Sequence, residues 1–394
     1  MKRKTIVIFA VIWMVLVVAT ASSALTLSVS TKKDIYMGED NKYALLDDIL
    51  EFIKANYYEE VDEDVLIEGA VRGLFTSLDE YSFYYSPEEM QEMLTESEGV
   101  YYGIGVLVSL EGEGGIRIVR VYKGPARDAG IIPGDVILAI DGDAINAHTA
   151  QDLTDATDKI KAESKEPVTL TINREGEIFD VDVMRDEVEA ERTRMEILDG
   201  EIGYLEITEF YGNVTSEVER ALKHFDTNGI DKMVLDMRSN PGGDFYAAVD
   251  IADMLLPEGV IVTLKDRAGN VESYDSKASY NDIEMVVLIN EMSASATEIL
   301  SGALQDYDRA YIMGTKSFGK GIVQDVLTIP YNGAGFQVTT ASYFRPSGEA
   351  VHKVGITPDE IVELSEDYDP YNFNVDPDND NQLAAAINYL KNND

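Results

Sequence analysis

The spacing of hydrophobic positions changes twice along the chain. Over residues 42–98, "YALLDDILEFIKANYYEEV" and "DEDVLIEGAVRGLFTSL" put apolar residues three and four apart, the spacing of one helix face. Glu63 and Asp64 enrich the first turn of the second helix. From 100 to 185, short β-branched runs ("GIRIVRVY", "DVILAI", "VTLTINR", "FDVDVM") alternate with the turn signals "EGEGG", "PGD", "DGD" and "REGE". This block predicts a compact, strand-rich domain with one helix over 149–161. From 200 onward the pattern changes again. "KMVLDM", "VIVTLK" and "EMVVLIN" read as buried strands, and "SEVERALKHF", "DFYAAVDIADMLL" and "ATEILSGALQDY" as helices. Such alternation predicts a layered α/β domain. The acidic, Pro/Asn-rich "SEDYDPYNFNVDPDNDNQ" reads as a surface linker before a short helix, "QLAAAINYL".

With 394 residues the chain is too long for one hydrophobic core. The 73 acidic against 32 basic residues give a net charge of −41. That charge repels nucleic acid and anionic lipid headgroups and reads as a solubilising surface. The chain has no cysteine, which excludes disulfides, thiolate metal sites and a cysteine nucleophile. Its first residues, "MKRKTIVIFAVIWMVLVVATASSA", set three cations before a long apolar run. This is either a signal peptide, with Ala19, Ala21 and Ala24 near the cut, or an uncleaved anchor. Both place the rest of the chain beyond the cytoplasmic membrane and confine membrane contact to this segment.

"GTKSFGKG" (314–321) has the spacing of a phosphate-binding loop. Such a loop needs a hydroxyl after the lysine and a helix beyond it. Here Gly321 follows Lys320, and the strand-like "IVQDVLTI" follows that. The nucleotide reading therefore fails. Gly319 and Gly321 either mark a turn that carries a solvated lysine or allow close backbone approach around a lysine set into a tight site.

A serine stands upstream in "VVLINEMSASATEILSGALQDYDRA". Ser295 falls where a buried strand turns into a helix, with Glu298 three positions on as in a capping box. Either Ser293 or Ser295 serves there as an N-cap, or Ser295 is a nucleophile favoured by the helix dipole. The chain has three histidines, His148, His224 and His352, none in an acid-paired or glycine-flanked context, and it has no G-x-S-x-G elbow. A serine–lysine pair is the other route. It needs a lysine whose pKa falls from about 10.4 toward roughly 7 or 8 through enclosure. Gln324 could hydrogen-bond that lysine, because in a regular strand Lys320 and Gln324 share a face. In "MVLDMRSNPGGDF" a strand ends at Asn240-Pro241-Gly242-Gly243 before a helix, and backbone N–H groups there could cradle an oxyanion.

Taken together, "VLDMRSNPGG", "SASATEILSGALQDYDRA" and "GTKSFGKGIVQ" resemble the carboxyl-terminal processing peptidases, or tail-specific proteases, in order and spacing. "IEGAVRGLFTSLDEYSFYYSPEEM" and "YYGIGVLV" resemble that family's N-terminal and PDZ-entry segments, so the resemblance spans residues 42–362. It implies a multidomain protein with a ClpP/crotonase-like α/β protease core, an inserted PDZ domain and a helical N-terminal segment. The implied division is 1–30 signal or anchor, 40–98 helical segment, 99–185 PDZ domain, 186–364 protease core, and 365–394 linker and last helix.

Position by position, the resemblance puts the nucleophile on Ser295, the general base on Lys320 and its support on Gln324. The oxyanion donors fall on the N–H of Ala296 and of Gly242 or Gly243. Asp306 takes a structural role, pairing with Arg309. Thr297 stands where the family often has serine. Met292, where it often has glycine, adds bulk beside the nucleophile. The PDZ carboxylate loop falls on Tyr102, Gly103, Ile104 and Gly105, followed by the strand "VLVSL" that a peptide would extend. "KAESKEPVTLTI" lacks the glycine-rich turn usual before that PDZ strand.

The resulting expectation is a serine endopeptidase that captures exposed C-terminal tails and needs neither cofactor nor metal. It acts on protein or peptide partners, not nucleic acid, and forms a homodimer through its terminal helices. The alternative is a PDZ scaffold or chaperone that binds tails without cutting them. Asp376, Asp378 and Asp380 alternate as in a calcium loop, but the glycine at its sixth position and the glutamate at its twelfth are missing, which favours a solvated linker.

Overall fold

The computed structural model describes residues 43–97, 100–111, 114–161, 165–189, 191–277, 282–366, 368 and 375–392. It divides into two units, one up to Ser77 and one from Leu78. The apolar N-terminal run lies outside the described residues, and among those described no helix is long and apolar enough to cross a membrane.

The first unit holds two helices, Ala44–Asn56 and Glu63–Thr76. Asp62 caps the second by accepting the Asp64 N–H at 2.9 Å. Neither helix buries a residue, so Leu46, Ile49, Phe52, Val65 and Leu74 present apolar surface to solvent.

In the second unit, the strand-rich block forms an antiparallel sheet in the order Val106–Leu110, Ile116–Val121, Val136–Ile140, Pro167–Arg174, Glu177–Met184. Alternate residues Val168, Leu170 and Ile172 are fully buried against Ile116, Ile118 and Ile137. That is the period-two pattern of a half-buried sheet. The helix Ala150–Ile160 starts from a capping box in which Thr149 and Asp152 exchange bonds at 2.9 and 3.2 Å. The chain enters and leaves this block through a two-stranded ribbon, Val100–Gly103 against Asp186–Glu189. Residues 162–164, within the stretch lacking the usual glycine turn, lie outside the described residues.

The α/β part has a six-stranded sheet: Thr193–Leu198, Ile202–Ile207, Lys232–Asp236, Glu284–Ile289, Ala310–Gly314 and Glu360–Ile361. Only the first pair is antiparallel. Met233, Leu235, Met285 and Val287 face the helices Val214–Thr227, Phe245–Leu255 and Ala296–Asp306. Their neighbours Val234, Val286 and Leu288 face the last helix, Asn381–Asn392, through Leu383, Ile387 and Leu390. Apolar runs without alternation follow from burial on both faces.

The run "VIVTLK" does not join this sheet. It lies in Gly259–Asp266, within a second, antiparallel sheet with Val271–Ser276, Gly335–Phe344, Phe83–Tyr85 and Ile322–Thr328. A short apolar run carries no information about its partner strand, so the sequence could not separate the two sheets.

Candidate active site

Three adjacent parallel strands, Lys232–Asp236, Glu284–Ile289 and Ala310–Gly314, end side by side, with Asp236 paired to Leu288 and Leu288 to Met313. The loops leaving their carboxyl ends carry the three motifs. In open α/β sheets that edge is where ligands bind.

The first loop is fixed by the fully buried Asn240. Its amide donates to Ile207 O at 2.8 Å, and its Oδ1 accepts the Gly242 N–H at 2.9 Å. Its carbonyl accepts from Ala294 N–H and from the Thr297 hydroxyl, both at 3.0 Å. Gly242, at φ +102°, packs so closely that a Cβ would stand 2.7–2.9 Å from Ala294 O, Ser295 Cβ and Ala296 N. At Gly243 a Cβ would meet the Phe210 backbone at 2.6 Å. Glycine is the residue this approach admits.

In the second loop, Ser293 is fully buried; its hydroxyl donates to Met237 O at 2.8 Å and accepts the Asn290 N–H at 2.9 Å. It is therefore a structural link. Ser295, the N-cap of the helix Ala296–Asp306, sits at φ +57°, ψ −116°. That left-handed backbone is costly for a side-chain-bearing residue and is held only where surrounding packing enforces it. Met292 is 58 % exposed, outside the buried junction.

Glu298 holds the third loop against the second. Fully buried, its carboxylate accepts the N–H of Ser295 at 2.9 Å, of Gly319 at 2.7 Å and of Lys320 at 2.8 Å, and also the Ser317 hydroxyl. Burial pushes its pKa up, and these donors oppose that rise. Tyr343, also buried, places its hydroxyl 3.0 Å from Ser295 O and 2.7 Å from Lys320 O. One carboxylate and one phenol thus fix the backbones of both residues. The helix-start pattern announced Glu298 only as a cap; its grip on residues 317–320 and the part played by Tyr343 are long-range contacts.

Ser295, Ala296, Gly242, Gly243, Lys320 and Gln324 all line one cleft of ≈ 930 Å³, and none of the histidines lines it. Lys320 is half-buried, and burial lowers its pKa, opposed by the charges of Asp79 and Glu298. Its Nζ lies 5.0 Å from the ring centroid of Tyr81. Close packing explains the flanking glycines: a Cβ on Gly321 would stand 2.1 Å from His352 N.

Two expectations change. The strand bearing Gln324 begins at Ile322 and bulges between Val323 and Gln324, so Lys320 and Gln324 are not members of one regular strand. A bulge resets the alternation of faces. The amide of Gln324 donates to Thr339 Oγ1 at 3.5 Å rather than bonding Lys320. Asp306 is held by Arg345 and accepts the Ser347 N–H at 3.0 Å, whereas Arg309 donates to the carbonyls of Leu255 and Ile283. Sequence proximity suggested the wrong arginine.

In the strand-rich block, Ile104 O accepts from Ala126 N–H at 2.8 Å and Gly105 O from Tyr122 N–H at 2.9 Å. Gly105 sits at φ +83°, Gly103 and Ile104 are buried, and Tyr102 is exposed. The following strand, Val106–Leu110, is the sheet's edge. Asp380 accepts the N–H groups of Gln382 and Leu383 at the start of the last helix and pairs with Arg238.

This fold and cleft are those of a serine-type peptidase with a PDZ domain. Residues 201–362 match peptidase family S41, residues 117–174 match the PDZ domain, and residues 7–89 match the N-terminal domain of the activating protease CtpB. The chain is 37 % identical over 352 residues to a carboxy-terminal-processing protease of Bartonella bacilliformis, covering 86 % of this chain and 80 % of that one. It is 32 % identical over 375 residues to the carboxy-terminal processing protease CtpA of Bacillus subtilis, covering 92 % and 78 %. A putative S41 protease structure from Bacteroides fragilis shares the fold at a TM-score of 0.58 and 18 % identity, over 85 % of this chain and 91 % of that one. The chain belongs to the carboxyl-terminal processing proteases of family S41.

Proposed function

We propose that this protein cleaves polypeptides by a Ser295–Lys320 mechanism after its PDZ domain has captured an exposed C-terminal tail. The observation carrying this reading is a half-buried lysine, its pKa lowered by desolvation, lining the same cleft as a serine in strained backbone at a helix start. Neutral Lys320 takes the hydroxyl proton as Ser295 Oγ attacks the scissile carbonyl, and water later releases the acyl group.

We assign the oxyanion donors to the N–H groups of Ala296 and Gly243, because the Gly242 N–H is already bonded to Asn240 Oδ1. Gln324 lines the same cleft and supports the lysine only indirectly, through Thr339, to which its amide donates. The loop Tyr102–Gly105 takes the terminal carboxylate, and the free edge of Val106–Leu110 takes the tail as an added strand. Placement beyond the cytoplasmic membrane, with the first residues as signal or anchor, rests on the N-terminal sequence. Dimer formation belongs to the same reading through the exposed apolar helices before Ser77; the last helix, expected to share in it, instead buries its apolar face on the six-stranded sheet. We also retain the division into PDZ domain, protease core, and acidic linker with last helix at 99–185, 186–364 and 365–394.

The test is hydrolysis of an unfolded protein by the purified chain. Ser295→Ala and Lys320→Ala each abolish turnover while leaving the folded state intact; turnover that persists in either variant contradicts the mechanism.

A further inference from the structure

The turn 78–82 reaches Lys320 from outside the three motif loops. Asp79 Oδ1 accepts the Tyr81 N–H at 2.8 Å. Thr339 N–H donates to Ser82 Oγ at 3.2 Å, and the Gln337 amide donates to Tyr81 O at 3.0 Å. The next residues pair in register with the same strand, Phe83 with Gln337 and Tyr85 with Gly335.

The turn is therefore clamped to Gly335–Phe344, the neighbour of the strand that carries Gln324. Thr339 Oγ1 accepts from the Gln324 amide at 3.5 Å, so polar contacts run from Gln324 through Thr339 to Ser82 of the turn. At the end of this clamp the Tyr81 ring stands 5.0 Å from Lys320 Nζ. Among the described residues no carboxylate forms an ion pair with Lys320.

We propose that the turn bearing Asp79 and Tyr81 positions Lys320 and stabilises the ammonium it becomes, the part the acid plays in a Ser-His-acid triad. This deepens, and rests on, the Ser295–Lys320 reading. In the attack the Ser295 O–H bond breaks, its proton bonds to Nζ, and the oxygen bonds the scissile carbonyl carbon while the carbonyl π pair passes to its oxygen. As that pair returns the C–N bond breaks, and Nζ gives the proton to the leaving amine. The lysine must be neutral before the attack and cationic between the two steps. Enclosure provides the first condition. The negative face of a ring and a carboxylate beyond ion-pair distance provide the second without locking the resting lysine in its charged form.

Other groups act on the same site. Glu298 and Tyr343 meet the Ser295 and Lys320 backbones. The segment 351–355, with His352 and Lys353, packs on Gly319 and Gly321. Of the two carboxylates whose charge acts on Lys320, that of Asp79 acts the more strongly.

The experiment measures kcat/KM against pH for the full chain, with Asp79→Asn, Tyr81→Leu, Tyr81→Phe and Lys320→Ala, and thermal unfolding alongside. Asparagine keeps an acceptor oxygen for the Tyr81 N–H while it removes the charge and turns the second oxygen into a donor. The acid limb of Asp79→Asn is expected to move to lower pH by roughly half a unit. Tyr81→Leu is expected to lose about tenfold at the plateau, and Tyr81→Phe to recover most of that loss. An acid limb in Asp79→Asn that stays put or moves upward overturns the proposal, as does Tyr81→Phe being as deficient as Tyr81→Leu. If Lys320→Ala remains active, the Ser–Lys reading itself fails. Wild-type profiles in the turn variants beside an inactive Lys320→Ala remove only the turn's role.

Discussion

The Glu298 carboxylate accepts the backbone N–H of Lys320 at 2.8 Å while it also accepts that of Ser295 at 2.9 Å. One fully buried side chain thus fixes the separation of the two residues on which the chemistry is proposed to depend. Replacing Glu298 by alanine would orphan four donors in the interior. We expect a loss of roughly 3–5 kcal/mol in urea unfolding and of most turnover. Glu298→Gln keeps one acceptor oxygen and should fall between the two. Unchanged stability in the alanine variant would remove Glu298 from this role.

Lys320 sets the pH dependence. Its folded-state pKa lies below the ordinary lysine value, chiefly through burial, so the unfolded chain binds more protons between the two values. Stability therefore rises with pH across that window, and below it the lysine's destabilising effect is complete. Lys320→Met should abolish turnover, raise stability at neutral pH by about 1 kcal/mol once residual solvation is allowed for, and flatten the slope. Parallel pH–stability curves for the two proteins would contradict a desolvated lysine.

Gly242 tests the closeness of the loops. Alanine there places its Cβ 2.7–2.9 Å from Ala294 O, Ser295 Cβ and Ala296 N, at a φ of +102°. Parting these backbones should cost about 2–4 kcal/mol and displace Ser295 enough to reduce kcat at least about a hundredfold. Gly269, also at positive φ, has nothing within 4 Å of an added Cβ, so Gly269→Ala should show the backbone strain alone, without loss of kcat.

Tail capture predicts a requirement for a free carboxylate. A peptide ending in an amide should bind the PDZ domain about tenfold to a hundredfold more weakly than its acid form, measured by calorimetry. Equal affinities would place recognition elsewhere.

Much of the site was legible along the chain because its parts are local. A strand ending in Asn-Pro-Gly-Gly, a serine at a strand-to-helix junction and a lysine between glycines each depend on backbone geometry that a few neighbouring residues impose. Two strands of the six-stranded sheet, Lys232–Asp236 and Glu284–Ile289, could be read from their apolar runs for the same reason. The pairing of Asp306 with Arg345, the bulge before Gln324 and the second sheet could not, since each depends on residues far apart in sequence.

Sequence alone determined which residues could act: the absence of cysteine, the lysine that fails as a phosphate loop, and the glycines that admit close approach. The tertiary structure decided that Ser293 is a structural link while Ser295 lines the cleft, that the Gly242 N–H is taken up by Asn240, and what surrounds the lysine. The reason is physical. A residue's preference for a turn or helix start is set within a few neighbours, whereas desolvation and the partners of a buried donor are set by whatever the fold packs against it.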